Sequence, residues 1–451
     1  MRLKKMICTT LAICILGGVL TACSSPNIPK LDNVVVPETN QFADIGGFSP
    51  QGEVSLLPVE IGSTGFSSDT GYYHVDTNKN GFTVLRFVDY ASAKDVVVCN
   101  RPECKHKDES CTAYIPFGSS GVNPIPVGDK LILLYGGNPF NFDVVGNVGA
   151  ARIEVMEQNG ANRTIPYVFD GTTSISTSLG IDKRSFAKDE QNLYFIAEQI
   201  LNSSNGVEVK PFLCAYNISS QQVFMLKELD SNPRIIGAFA DNIVLEYASG
   251  IEIVGTDASS IQAEIEVFSL STLQGSQVAT HPYIEHVRCE GNMCYRITKT
   301  GDLAVIDLST GEEKVIAAGI VSPETEFSIE GLQDGKLFLT FTTMRTEANE
   351  KGEEIIFFDK VLHGVDLQSG TIAELSVPYY EGGSGRIPKK ILASAGQDYL
   401  CLDSTEEIAI TSLNNEGKAT TVPSYKTLYA LQNKDDYLNG GQQLRAVTEI
   451  S

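Results

Sequence analysis

A short unit recurs along the chain at intervals of about 52 residues, and this recurrence restricts the folds available to the sequence. Each copy is a small polar turn that leads into a short apolar strand. The eight copies begin at Tyr72, Leu131, Leu193, Ile243, Met293, Leu337, Tyr399 and Tyr437. A second unit follows seven of them and consists of an alternating strand, a small-residue turn and a return strand, most clearly over 304–316. Its Asp, Asn, Ser and Gly residues are those that tight turns require.

These repeated groups of short strands predict an all-β chain that folds as a β-propeller. Amphipathic helix patterns are almost absent, which counts against alternating strands and helices. Stacked β-sandwiches are the alternative, but the fixed alternation of the two units favours a propeller. We expect eight blades, with seven as the alternative. Because the eighth copy lacks an outer hairpin, we expect closure by pairing of N- and C-terminal strands, with residues 54–61 as the closing strand.

The N-terminus has the pattern of a secretory signal. Residues 1–5 include three basic side chains, and residues 6–20 are uncharged and mainly apolar. This apolar run is shorter than the about 20 residues that a membrane-spanning helix needs. The residues Leu20-Thr21-Ala22-Cys23 follow it and resemble a bacterial lipobox, in which the Cys thiol is alkylated by diacylglycerol and becomes the first residue of the mature protein.

The domain organisation follows from this N-terminus. We expect a lipoprotein signal peptide over 1–22, lipidated Cys23 with a flexible tether over 23–52, and the β-propeller domain over 53–451. The tether is expected to be extended and without periodic structure, because it contains several Pro residues and the pair Gly46-Gly47. The lipid anchor predicts a place on the extracytoplasmic face of the bacterial cell membrane, with the membrane as one partner.

Cys99, Pro102, Cys104 and His106 form a Cys-x-x-Pro-x-Cys-x-His run within residues 96–114. This segment is similar to one found in surface β-propeller lipoproteins of Gram-positive anaerobes, where it follows the outer strand of the first blade. The similarity extends over the mature chain, including residues 434–437. The resemblance implies an extracytoplasmic propeller. It implies no known activity, so no catalytic residue is carried over.

Cys99, Cys104, His106 and Cys111 have two interpretations, which the sequence leaves open. Three thiolates and one imidazole would complete a closed tetrahedral shell for a structural zinc ion. The alternative is one disulfide, a leftover thiol and a solvent-facing His, because zinc knuckles of the CxxC type are missing and secretion favours oxidation. No other cofactor is predicted.

Two further groups of cysteines are expected to be structural. Cys289 and Cys294 frame a four-residue hairpin loop, and we favour a disulfide between them that staples one blade. Cys214 and Cys401 lie in apolar strands and are expected to be buried core thiols. Seven cysteines remain after Cys8, Cys14 and Cys23 are set aside, so at least one does not pair within the chain.

The charge of the chain restricts its partners. Its formal charge is −22, which speaks against nucleic acid because binding that polyanion needs neutralising cations. The sequence contains no G-x-S-x-G nucleophile elbow, and we predict no catalytic residues. We therefore expect a binding or interaction module for a protein, peptide or glycan, with Tyr379, Tyr380 and Arg386 suited to a binding rim. The alternative is an extracellular glycan hydrolase or lyase that uses carboxylates at the mouth of the channel.

Replacing Cys23 tests the predicted anchor. Cys23→Ser removes the thiol that carries the lipid, so the protein is expected to leave the membrane fraction, whereas Cys14→Ser in the apolar run is expected to stay there. Mass spectrometry of the mature N-terminal peptide should show a diacylglycerol thioether at Cys23. An unmodified N-terminal peptide in the wild-type protein would contradict the lipobox assignment.

Overall fold

The structure, a computed structural model, describes residues 39–450 apart from 58–64, 78–81, 117–120, 138, 140–148, 176–184, 204–205, 231–232, 249–260, 284–286, 324, 349–351, 353, 383–384 and 414–418. The predicted signal peptide, Cys23 and the tether as far as residue 38 lie outside the described residues. Within the described part, seven sheets and one two-stranded ribbon form an all-β fold. None of the helices found in this part has the length and apolar character needed to cross a membrane.

The first three blades follow an N-terminal segment that contains the 3₁₀ turn Ile45–Gly47 and the strand β1 (Ser55–Leu57). Blade 1 consists of β2 (Gly65–Ser67), β3 (Gly71–Thr77), β4 (Thr83–Asp89) and β5 (Lys94–Val97), with β6 (Tyr114–Ile115) also paired to β4. Blade 2 consists of β7 (Val122–Val127), β8 (Lys130–Tyr135), β9 (Arg152–Glu157) and β10 (Thr164–Val168). Blade 3 consists of β11 (Thr173–Ile175), β12 (Phe186–Lys188), β13 (Asn192–Ser203), β14 (Gly206–Asn217) and β15 (Gln222–Glu228), with β11 and β12 both paired to β13.

The next three blades have four strands each. Blade 4 consists of β16 (Pro233–Phe239), β17 (Asn242–Ala248), β18 (Gln262–Ser269) and β19 (Gln274–Pro282). Blade 5 consists of β20 (Val287–Glu290), β21 (Met293–Ile297), β22 (Leu303–Asp307) and β23 (Glu313–Ala317). Blade 6 consists of β24 (Phe327–Gln333), β25 (Lys336–Ala348), β26 (Glu354–Asp366) and β27 (Ile372–Glu374).

The ribbon β28 (Tyr379–Gly382) and β29 (Gly385–Pro388) separates blade 6 from blade 7 in the chain. Blade 7 consists of β30 (Ile391–Ala395), β31 (Asp398–Leu413), β32 (Ala419–Asn433) and β33 (Arg445–Ala446), with the short helix α1 (Lys434–Leu438) between β32 and β33. The last strand, β34 (Thr448–Ile450), returns to blade 1 and pairs in parallel with β5.

Apolar side chains between consecutive blades arrange the sheets as a ring. Shared clusters join blades 1 to 3, 3 to 4, 4 to 5, 5 to 6 and 6 to 7. A further cluster packs Tyr72 of blade 1 against Leu400 and Tyr429 of blade 7 and completes the circle. Both faces of a blade are therefore covered, which explains why second strands such as β8 are apolar without alternation. The predicted propeller is confirmed.

The expectation of eight blades is wrong, and the alternative of seven is right. Seven copies of the first sequence unit lie in the second strands of the seven blades, from β3 to β31. The eighth copy, Tyr437-Leu438, lies in α1 instead. The Asn433 side chain accepts hydrogen bonds from the backbone amides of Asp435 and Asp436, and this cap starts a helix where the apolar pair predicted a strand.

The second sequence unit corresponds to the hairpin between the third and fourth strands of a blade. Asp307 and Asp366 each end a third strand, and their carboxylates accept hydrogen bonds from the backbone amides of Ser309 and Ser369, both at 2.8 Å. The sequence contains a further copy of this unit at 410–417, and this copy is an exception. It covers the end of β31, in the second–third hairpin of blade 7, and its residues 414–418 lie outside the described residues.

The ring closes differently from the expectation. The C-terminal strand β34 does pair with the first blade, but Ser55–Leu57, the described part of the expected closing strand, pairs with β12 of blade 3. The first strands of neighbouring blades contact one another. Because β1 contacts β16 of blade 4 in addition to pairing with β12, it lies on the side of β12 that faces the axis of the ring. The order of the strands therefore places β1 at the centre of the ring rather than at the closing edge.

The described residues of the expected tether belong to the folded domain. Phe42 packs against Phe169 and Phe212, and Phe48 packs against Tyr194 and Phe224. The backbone amide of Ala43 donates to the carbonyl of Val223 at 2.9 Å. Residues 42–48 therefore pack on the folded domain, although its boundary was expected at residue 52, because two aromatic anchors hold this Gly-containing segment against blades 2 and 3.

Arg86 is the centre of a buried network that holds the closing strand. Its Nε donates to the Asp95 carboxylate at 3.0 Å, and its Nη2 donates to the carbonyls of Asp95 at 2.9 Å and Ile450 at 3.3 Å. Glu449 of β34 lies 3.1 Å from Nη1. His74 contacts the other oxygen of Asp95, and Tyr429 of blade 7 contacts His74. One guanidinium thus links β4, β5 and β34.

Replacing Arg86 tests this closure. Arg86→Met leaves the buried Asp95 without its guanidinium partner, so we expect a loss of about 3–5 kcal/mol in the free energy of unfolding, measured by urea titration. Lys210→Met is the matched control, because its ion pair with Glu208 is largely exposed and is expected to contribute less than about 1 kcal/mol. Equal losses in the two variants would show that the Arg86 network does not hold the ring.

Candidate functional site: a cleft between blades 6 and 7

In the described part of the chain, the second and third strands of three blades are much longer than those of the others. These strands have 12 residues each in blade 3, 13 each in blade 6, and 16 and 15 in blade 7, whereas β21 and β22 of blade 5 have five each. Ten large apolar side chains are exposed in the described part. Seven of them lie on the long strands of blades 3, 6 and 7: Val207, Val209, Met344, Ile355, Ile356, Phe358 and Tyr425. Exposed apolar surface of this kind is typical of interaction sites.

The hairpin of blade 6 carries a row of side chains along one face. Four cross-strand pairs share this face because side chains alternate with a period of two: Thr340 with Leu362, Thr342 with Lys360, Met344 with Phe358, and Thr346 with Ile356. Exposure rises along the row, from 4% for Leu362 to 49% for Phe358 and 75% for Met344. We call Met344, Ile356 and Phe358 the apolar hairpin patch.

The buried end of this row opens into a cleft of about 350 Å³ between blades 6 and 7. Thr340, Lys360 and Leu362 line its blade 6 side, and Lys389 and Tyr437 lie on the side of blade 7. Tyr437 is fixed there, because its hydroxyl donates to the Lys389 carbonyl at 2.7 Å. The cleft and the apolar hairpin patch are therefore two parts of one surface on the same face of the same hairpin.

Charged side chains of both signs line the cleft. Glu330 of β24 accepts a hydrogen bond from the Thr340 hydroxyl at 2.6 Å, and Lys389 pairs with Asp403 of blade 7. Lys360 lies between Leu362 in the cleft and Phe358 in the patch. A ligand in this cleft would meet apolar walls with a few polar groups that can orient it, which is the usual composition of a binding pocket.

The ribbon that carries the residues of the predicted binding rim lies beside the cleft. The ribbon β28–β29 attaches to β26, since the backbone amide of Arg386 donates to Asp359 at 2.9 Å and Gly385 has a φ of 145° close to the Phe358 carbonyl. Hydrogen bonds from Arg345 and from this amide lower the pKa of Asp359. Tyr379 packs in the core between blades 6 and 7 rather than on a rim, and the Tyr380 side chain lies outside the described part.

The carboxylates give no specific support to a hydrolase or lyase. In the described residues the first strands of the blades carry two of them, Glu290 and Glu330, and Glu330 is hydrogen-bonded to Thr340. The buried carboxylates Asp95, Glu154 and Glu246 each pair with an arginine. Asp189 accepts hydrogen bonds from Asn192 and Tyr194. Such partners are typical of structural networks rather than of an acid–base pair ready for catalysis.

The four predicted metal ligands come together in the loop between β5 and β6. The Sγ atoms of Cys99, Cys104 and Cys111 and a ring nitrogen of His106 all lie within 4.8 Å of one another. The three cysteines are free thiols in the structure. Burial raises the pKa of Cys111 to about 12. Burial also acts to raise the pKa of Cys99, but hydrogen bonds from Thr112 and neighbouring groups outweigh it and lower this pKa to about 7.

The other four cysteines in the described residues are structural. Cys289 and Cys294 face each other across β20 and β21, their Cα atoms are 4.1 Å apart, and a disulfide joins them. Cys214 and Cys401 are buried thiols in the strands β14 and β31, and burial raises the pKa of Cys401 to about 12. None of these four residues lies in the lining of the cleft.

Sequence reasoning missed the cleft and the apolar hairpin patch. The signal that could have revealed the patch is the length of the two runs rich in β-branched and aromatic residues, 336–348 and 354–366, which exceeds what one blade can cover. Side chains far from the body of the blade then have no neighbouring blade to pack against. The cleft itself depends on the ribbon and on α1, whose positions no local pattern indicates.

No protein-family model matches the chain, and no curated protein matches it. Solved structures are similar in fold. The propeller domain of the trilobed protease from Pyrococcus furiosus is 11% identical, with 86% of this chain and 97% of that chain covered and a TM-score of 0.45. The acylaminoacyl peptidase of Pyrococcus horikoshii is 10% identical, with 90% and 54% covered and a TM-score of 0.46. Dipeptidyl peptidase 4 of Porphyromonas gingivalis is 10% identical, with 86% and 60% covered and a TM-score of 0.42. The chain thus spans about 60% of the length of that peptidase. Similarities at this level concern the fold alone.

Proposed function

We propose that the protein is a lipid-anchored, extracytoplasmic binding module whose propeller holds a segment of a partner protein in the cleft between blades 6 and 7. The observation that carries this proposal is the continuous row on the blade 6 hairpin, from Leu362 in the cleft to the exposed pair Met344 and Phe358. An extended segment could place one side chain in the cleft and lay others on the patch.

Charge and composition indicate the chemistry of the partner. Phe358 and Met344 offer aromatic and flexible apolar contacts, which are frequent at the centres of protein interfaces. Exposed carboxylates lie on these hairpins, with Glu354 on the same face as the patch and Glu406 on the hairpin of blade 7. The formal charge of −22 adds long-range attraction for cations. We therefore infer a partner segment that carries apolar side chains and a net positive charge.

The attachment of the chain supports display of this site. The described chain begins on the rim between blades 2 and 3, where the Asn40 amide donates to the Val168 carbonyl at 2.8 Å. In a ring of seven, the junction of blades 6 and 7 is three junctions away in one direction and four in the other, on the opposite side. The 16 residues from Cys23 to residue 39 allow a reach of at most about 55 Å. A lipid at Cys23 would then hold the rim near the membrane and leave the cleft on the far side.

A peptide display selection against the full mature protein in detergent tests the binding module. We expect enrichment of basic peptides with apolar anchors. Phe358→Asp places a charge in the patch and is expected to weaken binding of an enriched peptide at least about tenfold, measured by fluorescence polarisation. Val315→Asp is the matched control, because Val315 is an exposed apolar residue on blade 5, at 56% exposure against 49% for Phe358. It is expected to leave binding unchanged.

Two results would contradict the proposal. Selection of no peptide above the background of an unrelated acidic protein would remove the binding module. Peptides whose affinity changes equally in Phe358→Asp and Val315→Asp would show binding without a site at the cleft.

A further inference from the structure

We propose that Cys99, Cys104, His106 and Cys111 bind one Zn²⁺ ion, and that this ion fastens the outer loop of blade 1 to blade 2. A metal ion would use all four side chains, whereas a disulfide would use two of the three thiols. The cluster is separate from the cleft between blades 6 and 7, so the inference is independent of the proposed function.

The separations of the side chains suit one tetrahedral ion. Zinc bonds of about 2.3 Å to sulfur and about 2.0 Å to nitrogen place two sulfur ligands about 3.8 Å apart, and a sulfur and a nitrogen about 3.5 Å apart. Nδ1 of His106 lies 3.3 Å from Sγ of Cys111, and all four ligand atoms lie within 4.8 Å of one another. The four atoms need to move by about 1 Å or less to reach zinc geometry.

The backbone of the loop directs these side chains inward. Glu103 and His106 have positive φ values of 59° and 50°, which are unfavourable for residues other than glycine. They stand on either side of Cys104, where the backbone turns at Pro102–Glu103 and bends at His106. A closed shell of three sulfurs and one nitrogen leaves no position for substrate, so the chemistry of this ion is structural.

The loop lies at the junction of blades 1 and 2, which gives the ion its role. Arg163 of blade 2 donates from Nη1 to the carbonyls of Thr112, at 2.9 Å, and Tyr114, at 2.6 Å. Gly160, in the turn between β9 and β10, packs so closely on Val98 that a Cβ would lie 2.4 Å from its carbonyl oxygen. Both ends of the loop, at Cys99 and Cys111, therefore adjoin blade 2. An ion that joins these ends would fix the surface on which blade 2 rests.

Metal content of the full mature protein, purified anaerobically in detergent, tests the site. We expect about one zinc per chain by elemental analysis. Cobalt added after chelation is expected to show the visible absorption of a tetrahedral thiolate site. Cys104→Ser and His106→Ala each remove a ligand, so the affinity for cobalt should fall at least about tenfold. Cys214→Ala and His363→Ala remove a thiol and an imidazole elsewhere, and both are expected to bind as the wild type does.

Hydrogen exchange tests the role of the ion separately. Chelation is expected to speed amide exchange at least about tenfold in residues 98–116 and in the turn at 158–163, while β21 and β22 of blade 5 stay unchanged. Absence of metal together with a disulfide among Cys99, Cys104 and Cys111 would overturn the site, as would cobalt binding unaffected by His106→Ala. Iron in place of zinc would overturn the choice of metal. Unchanged exchange at 158–163 would overturn the role in joining the blades.

Discussion

The ring depends on the contact between its last strand and its first blade. A blade packs apolar side chains on both faces, so an open ring would leave the Tyr72 face of blade 1 and the Leu400 face of blade 7 in water. Closing the ring buries them against each other. Arg86 makes this contact specific, since a buried guanidinium is tolerated only when its donors are paired. Asp95, Glu449 and the Ile450 carbonyl supply partners, and two of these three belong to β34.

Much of this architecture could be predicted from local sequence patterns. A turn residue followed by an apolar pair identified the second strand of every blade, because that strand is covered on both faces. The Asp or Asn that ends a third strand identified the outer hairpin, because its side chain caps the following turn, as Asp307 does for Ser309. Both signals depend on only a few neighbouring residues, so they can be recognised without knowledge of the tertiary structure.

The failures concern contacts and backbone conformations that the repeated patterns do not show. Tyr437-Leu438 has the pattern of a strand, but Asn433 caps a helix and Tyr437 packs against Tyr399. Residues 39–52 have the composition of a linker, yet Phe42 and Phe48 find aromatic partners on blades 2 and 3. The ligand set of the Cys-x-x-Pro-x-Cys-x-His run was visible from the sequence. The convergence of its atoms was not, because it depends on the positive φ values at Glu103 and His106.

The parallel pairing of β34 with β5 also has a consequence for the order of folding. Thr448 lies beside Lys94, more than three hundred positions earlier, and Ser55 lies beside Lys188. A chain that emerges from its N-terminus can complete blade 4 while blade 1 still waits for its fifth strand. Contacts of such high sequence separation form slowly. During that delay, the edge of β5 exposes unpaired backbone groups to other chains. The protein is therefore most exposed to aggregation before residue 450 has been synthesised.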